Sequence, residues 1–202
     1  SCRTQRIILY RVNMADSEEK NQVSWYAMRD FTRPNAKLPA YKLLAQEGLE
    51  VFTPMKEQLK IKNGKRIREN VPVLHDLLFV HGLRDDIDPI VTKTQTLQYR
   101  YKKGIQRTPI TIVEKEMQRF IHVVRTSDRP KYYLPGELTP DMYGNQVRIV
   151  GGPLDTFDGK LLKLRGSKKK YLIVELKGLL SVGVEVSPES VSYTHLTLPT
   201  IA

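Results

Sequence analysis

The sequence predicts an α+β fold: a mixed sheet with packed helices over residues 22–126, then a small SH3-like β-barrel over residues 143–191. Three observations predict it. Strand-like and helix-like apolar periods alternate from residue 24 to residue 124, as expected for helices packed on a sheet. The stretch 127–142 then breaks the pattern with Pro130, Pro135 and Pro140 and reads as a linker. After it the periodicity is purely β.

The elements follow in order. Residues 24–31 carry Trp25, Tyr26 and Met28, good strand formers between polar neighbours. A helix is expected over 38–47, with Pro39 in its first turn, Tyr41, Leu44 and Ala45 on its apolar face, and Gly48 as its left-handed stop. A second strand is expected over 49–61. Asn63-Gly64 is a favoured two-residue hairpin turn, so 65–71 returns as its partner. The apolar run Leu77-Leu78-Phe79-Val80 fits a central strand covered on both faces. Asp88-Pro89 reads as the cap and first residue of a helix carrying Ile90, Val91, Thr94 and Leu97. Residues 98–103 form a strand with Tyr99 and Tyr101 on one face. Met117, Phe120, Ile121 and Val124 then stand at helical spacing in one stripe.

Within the linker, Tyr132-Tyr133-Leu134 is apolar enough to dock onto either domain. Beyond it, 147–150, 160–164, 171–176 and 182–186 are short strands divided by Gly and Lys turns, which suits a small barrel. Gly151-Gly152 and Gly159 flank a tight turn where a side chain would clash or φ must be positive, and Phe157 between them is placed to plug the barrel end. Lys168-Lys169-Lys170 reads as a charged turn.

Composition bounds the function. The 202 residues are 40% hydrophobic and 8% aromatic, which suits a folded chain of one or two domains. The formal net charge of +11 favours anionic partners, nucleic acid first among them. That charge is spread along the chain: +3 over 1–13, +5 over 14–142 and +3 over 143–202. No segment is an extreme polycation. One cysteine, Cys2, excludes an internal disulfide and a cysteine-based zinc site, and fits a reducing cytoplasm. No apolar stretch approaches the roughly 20 residues that span a bilayer, so no membrane is expected as partner. Residues 1–13 read as leader ahead of Met14, and 1–21 as a disordered tail. Residues 192–202 read as a tail of artefactual origin, outside the functional argument.

Catalysis finds no support. His75, His81, His122 and His195 are scattered, without metal-binding spacing. Gly151-Gly152-Pro153 lacks the Gly-Lys-Ser/Thr ending of a phosphate loop, and no nucleophile elbow occurs. No catalytic residue, metal or cofactor is assigned, and the chain is expected not to be an enzyme.

Two segments resemble a known family. Trp25-Tyr26-Ala27-Met28-Arg29, followed by a short helix and Glu50-Val51-Phe52-Thr53-Pro54, resembles the start of the amino-terminal domain of NusG-type transcription elongation factors. The stretch from Gly144 through Gly151-Gly152-Pro153-Leu154-Asp155-Thr156-Phe157-Asp158-Gly159 resembles their carboxy-terminal KOW module. Tyr99-Arg100-Tyr101, then Pro109-Ile110-Thr111-Ile112-Val113 and the Met117–Phe120 helix, look most like the UpxY paralogues associated with polysaccharide operons.

The resemblance implies a bacterial, cytoplasmic factor that binds RNA polymerase through the 22–126 domain and suppresses pausing or termination. It places Leu74, Leu77, Phe79 and Tyr99 against the clamp helices of the polymerase β′ subunit, and Arg29, Arg33 and Lys37 near exposed non-template DNA. Gly151, Gly152, Phe157 and Gly159 are the KOW motif; that module would recruit a ribosomal protein, a termination factor or nascent RNA. Lys60, Lys62, Lys65, Arg66 and Arg68 load the hairpin and read first as a solvated rim kept soluble by charge, with phosphate contact as the alternative. Two departures stand out. His75-Asp76 replaces a Pro-Asn or Pro-Gly pair, with no aromatic residue at Leu74 or Leu77, and Arg33-Pro34-Asn35 replaces a Gly-Arg-Glu-like entry to the first helix. Thr92-Lys93-Thr94 is a weak candidate for a gate-loop contact. The alternative is an RNA-binding or ribosome-associated translation protein that uses its KOW barrel.

Overall fold

The structure, a computed structural model, describes residues 22–104 and 107–193. The expectations for residues 1–21 and for 194–202, Cys2 and His195 among them, lie outside these. The chain divides after Glu114 into two compact units.

The first unit is built on β1 (Ser24–Asp30), β2 (Glu50–Phe52), β5 (Leu78–Gly82), β6 (Leu97–Tyr99) and β7 (Thr111–Ile112). Its strand order is β2-β5-β1-β6, with β7 also paired to β1. Every pairing is antiparallel, which corrects the expected mixed sheet. The helix α2 (Arg84–Lys93) carries the chain from β5 across β1 to β6. The two strands it joins therefore run the same way, yet both bond to the opposed β1 between them. The other helix of this unit is α1 (Ala40–Gln46). One sheet face supplies Tyr26, Met28, Leu78, Val80, Leu97 and Tyr99 to a core closed by Ala40 and Leu44 of α1 and Ile87 of α2. The other carries Trp25, Ala27 and Phe79, also buried.

A separate two-stranded ribbon, β3 (Met55–Lys62) and β4 (Lys65–Pro72), runs in unbroken register from Met55↔Pro72 to Lys62↔Lys65. Asn63 and Gly64 both take positive φ (51° and 73°), the primed turn that the Asn-Gly pair favours. The single strand expected over 49–61 is thus two, broken at Thr53-Pro54. Helix α2 begins five residues before the expected start. Its first turn holds Asp85 and Asp86, which suit the positive end of the helix, and Pro89 lies inside it. That proline removes one bond, to the carbonyl of Asp85, and the helix continues.

The second unit, from Lys115 on, takes in all but the first residue of α3 (Glu114–Thr126), whose buried stripe is Met117, Phe120, Ile121 and Val123, with Val123 rather than Val124 inward. A six-stranded antiparallel sheet follows in the order β13-β9-β10-β11-β12-β8. Its strands are β8 (Lys131–Tyr133), β9 (Tyr143–Ile149), β10 (Asp158–Leu162), β11 (Lys170–Leu176), β12 (Leu180–Val186) and β13 (Val191–Tyr193). Among the described residues no pairing joins β13 to β8, so the hydrogen-bonded path stays open. The proline-rich stretch is structured in part: Tyr132 and Tyr133 pair with Val182 and Ser181, so this segment docks on the second unit. Ser192 and Tyr193, set aside in the sequence as tail, pair with Arg148 and Val147 and belong to the sheet.

Candidate functional site

The basic loop after β1 is organised by Asp30. This carboxylate is 3% exposed. Its Oδ1 accepts the Thr32 N–H at 2.8 Å and its Oδ2 accepts the Ala40 N–H at 2.8 Å. Ala40 opens α1, whose cap residue Pro39 offers no side-chain bond. Asp30 therefore supplies, from ten residues upstream, the acceptor that a helix start requires. The Phe31 N–H bonds to the Thr96 carbonyl, the Ala36 N–H to that of Arg33, and the His75 ring to that of Thr32. Held at these points, the loop exposes Arg33 and Lys37, while Arg29 is exposed at the end of β1. The Arg29 guanidinium lies 5.6 Å from the centre of the Phe31 ring, itself 51% exposed. These three cations come from one strand end and the loop it feeds. Sequence reasoning missed Asp30; a lone carboxylate ending an apolar strand before a Pro-rich basic loop was its only signal.

The four apolar residues assigned to polymerase contact fall in two classes. Leu77, Phe79 and Tyr99 are interior, with exposures of 2%, 0% and 5%. Phe79 pairs with Ala27 on one side and Phe52 on the other, in the middle of the sheet. The Tyr99 hydroxyl donates to Asp88 at 2.7 Å, and its ring meets Tyr26 edge-on at 5.7 Å. Burial and the Asp88 bond push its phenol above the ordinary range. Leu74 alone keeps part of its surface exposed, in the bend between β4 and β5. The bend is fixed from below by Arg100, whose Nη2 donates to the Asp76 carbonyl and carboxylate, each at 3.0 Å. Burial and the nearby Arg29 charge lower the Arg100 pKa, against the pull of Asp76. Sequence reasoning also missed His81, which stacks on Trp25 at 4.8 Å and lies between Glu50 (2.8 Å) and Glu114 (3.2 Å).

On the hairpin, Lys60 pairs with Glu69 at 2.7 Å and Arg68 with Glu57 at 3.5 Å. Six basic side chains oppose these two carboxylates between Met55 and Pro72, so the ribbon keeps an excess of positive charge. Leu59 (68%) and Ile61 (76%) stand exposed on it, across from Arg68 and Arg66.

In the second unit the glycines divide by cause. Gly151 and Gly152 adopt φ of 79° and 73°, with open space where a Cβ would sit, so conformation demands them. Gly159 is demanded by packing: a Cβ there would lie 2.8 Å from Leu172 Cδ1 and 3.0 Å from the Ile173 oxygen. Phe157, expected at the end of the barrel, packs on α3. It precedes β10 and so escapes strand alternation; its ring stacks on His122 of α3 at 5.4 Å, under the Arg119 guanidinium at 5.0 Å. Arg119 also donates to the Asp158 carbonyl at 2.7 Å, and His122 Nε2 lies 2.7 Å from that of Pro153. Lys169 pairs with Glu185 at 2.8 Å.

Among the described residues no group of three or more His, Cys, Asp or Glu is placed to hold a metal ion, and no helix is long and apolar enough to cross a membrane. What the geometry offers is a set of exposed cations on a hydrogen-bonded loop and a two-stranded ribbon, suited to phosphate contact.

Residues 23–121 match the family model described as transcription termination factor nusG. The chain is 26% identical over 196 residues to a transcription termination/antitermination protein NusG of Borreliella burgdorferi, covering 86% of this chain and 97% of that one. A solved structure titled "Domain interaction in Thermotoga maritima NusG" aligns with a TM-score of 0.48 and 13% identity, over 86% of this chain and 98% of that one.

Proposed function

We propose, from the match of residues 23–121 to the NusG family model, that this chain is a non-enzymatic elongation and antitermination factor that rides on RNA polymerase. The family match carries the reading. The first unit binds the clamp helices of the β′ subunit, with Leu74 as the accessible apolar contact. Arg29, Arg33 and Lys37 reach the non-template strand. By bridging the cleft, the factor favours the closed, elongating polymerase to the extent of its differential affinity for that state. This suppresses pausing or termination.

The second unit acts as a KOW module of SH3-like type, recruiting a ribosomal protein, a termination factor or nascent RNA. Its support is the positive φ of Gly151 and Gly152 and the close packing at Gly159. The Tyr99-Arg100-Tyr101 segment supports a UpxY-like specialisation for a polysaccharide operon in a bacterial cytoplasm. The test is capture by the tagged full chain from a bacterial extract: retention of RNA polymerase is the expected result. Co-sedimentation with ribosomes and no retained polymerase would transfer the function to translation.

A further inference from the structure

A groove of about 350 Å³ lies between α1 and the β3–β4 ribbon, inside the first unit. Lys42 lines it from α1, and Lys60 and Lys62 from β3. Glu69 of β4 is the one carboxylate among the described residues that line it. Lys60 Nζ bonds to Glu69 Oε2 at 2.7 Å. The Glu69 carboxyl is held below its ordinary value first by that bond and the Lys60 charge, then by the charges of Lys62 and Lys42. Three ammonium groups and a single carboxylate thus line one groove, with Lys60 alone paired to the carboxylate. Between them lie flat or apolar surfaces, chiefly the Tyr41 ring, Ile67 and Pro72, while Pro34 and Asn35 of the basic loop form the rim.

We propose that this groove takes the phosphate backbone of a single nucleic-acid strand, and that Glu69 is a built-in counter-ion which the strand displaces. The inference rests on the reading above in one respect: it extends the Arg33–Lys37 surface into a second, ribbon-borne cation set. Three cations and one carboxylate in the groove lining leave net positive charge that a polyanion neutralises, with release of its own counterions. A single strand fits better than a duplex because the Tyr41 ring offers a stacking surface only to an unpaired base. Glu69 sets the affinity low. Each phosphate that enters must compete with an intramolecular carboxylate already in place, which suits a factor that should not coat free nucleic acid.

The experiment is fluorescence anisotropy of the full chain with a short oligothymidine over a range of salt concentrations. Lys42→Gln/Lys60→Gln/Lys62→Gln should lower the logarithmic salt slope by about 2, at roughly 0.7 per phosphate contact. Glu69→Gln should bind about two- to fivefold more tightly, the worth of releasing lysines from an exposed ion pair. An unlabelled duplex of equal length should compete less well than the single strand. A wild-type slope in the triple variant, no gain with Glu69→Gln, or equal competition by duplex would each overturn the proposal. Polymerase capture by the same variants separates the two readings: if it persists while the oligonucleotide results fail, the groove is refuted and the elongation-factor reading stands.

Discussion

Asp30 and Ala40, ten residues apart, are joined by a 2.8 Å bond from the Ala40 N–H to the buried Asp30 carboxylate. This contact ties the end of β1 to the start of α1 and is one of the bonds that hold the loop displaying Arg33 and Lys37. Asp30→Ala leaves the Thr32 and Ala40 N–H groups without their acceptor. The expected cost is about 1–3 kcal/mol, read by chemical denaturation, together with faster proteolysis within residues 33–37. Unchanged stability would show that the loop is held elsewhere.

Phe79 and Leu74 should separate core from contact. Phe79→Ala removes a fully buried ring and should cost about 3–5 kcal/mol of stability. Leu74→Asp, in a half-exposed bend, should leave the melting temperature within a few degrees of wild type. A large loss of stability in Leu74→Asp would move that residue into the core and out of the proposed contact.

The two kinds of glycine in the turn should respond differently. Gly159→Ala forces a Cβ against Leu172 and the Ile173 carbonyl and should destabilise the second unit by about 1–3 kcal/mol through overpacking. Gly151→Ala meets no neighbour, so its cost should be about 1–2 kcal/mol of left-handed backbone strain alone. Gly151→Asn should recover part of that loss, because Asn tolerates this conformation, whereas Gly159→Asn should not. Equal behaviour of the two Asn variants in thermal melts would contradict the distinction.

Asp158 accepts two bonds from the Arg148 guanidinium, at 2.7 and 2.9 Å. That pairing holds its carboxyl below the ordinary 3.8. Since the folded value is the lower one, the stabilisation is present above the unfolded value and is lost as pH falls through the folded one. Asp158→Asn should therefore flatten the decline in melting temperature below about pH 4. A parallel decline in wild type and variant would assign the acid sensitivity to other groups.

Much of this molecule was legible because it is dictated locally. Asn63-Gly64 announced the ribbon, since few residue pairs take positive φ twice in succession, and Gly48 marked the end of α1 for the same reason. Leu77-Leu78-Phe79-Val80 declared a central strand by its unbroken apolar run. That same run misled the assignment of contact residues: a strand covered on both faces has no apolar side chain left for a partner, and only Leu74, outside it, keeps exposed surface. The start of α2 was misplaced because Pro89 favours a first turn, whereas the Asp85 and Asp86 charges and the buried Ile87 fix the helix earlier. Asp30, the Phe157–His122 stack and the groove that Lys42, Lys60, Lys62 and Glu69 line depend on contacts between elements distant in sequence. Periodicity carries no information about these.

The central claim is that Leu74 belongs to a polymerase-binding surface of the first unit, and titration of the full chain against an isolated β′ clamp-helix fragment tests it most directly. Wild type should bind saturably, and Leu74→Asp, still folded by its thermal transition, should bind at least about tenfold more weakly because it places an unpaired charge in a desolvated contact. Equal affinity of the two proteins, or no binding by either, would contradict the account.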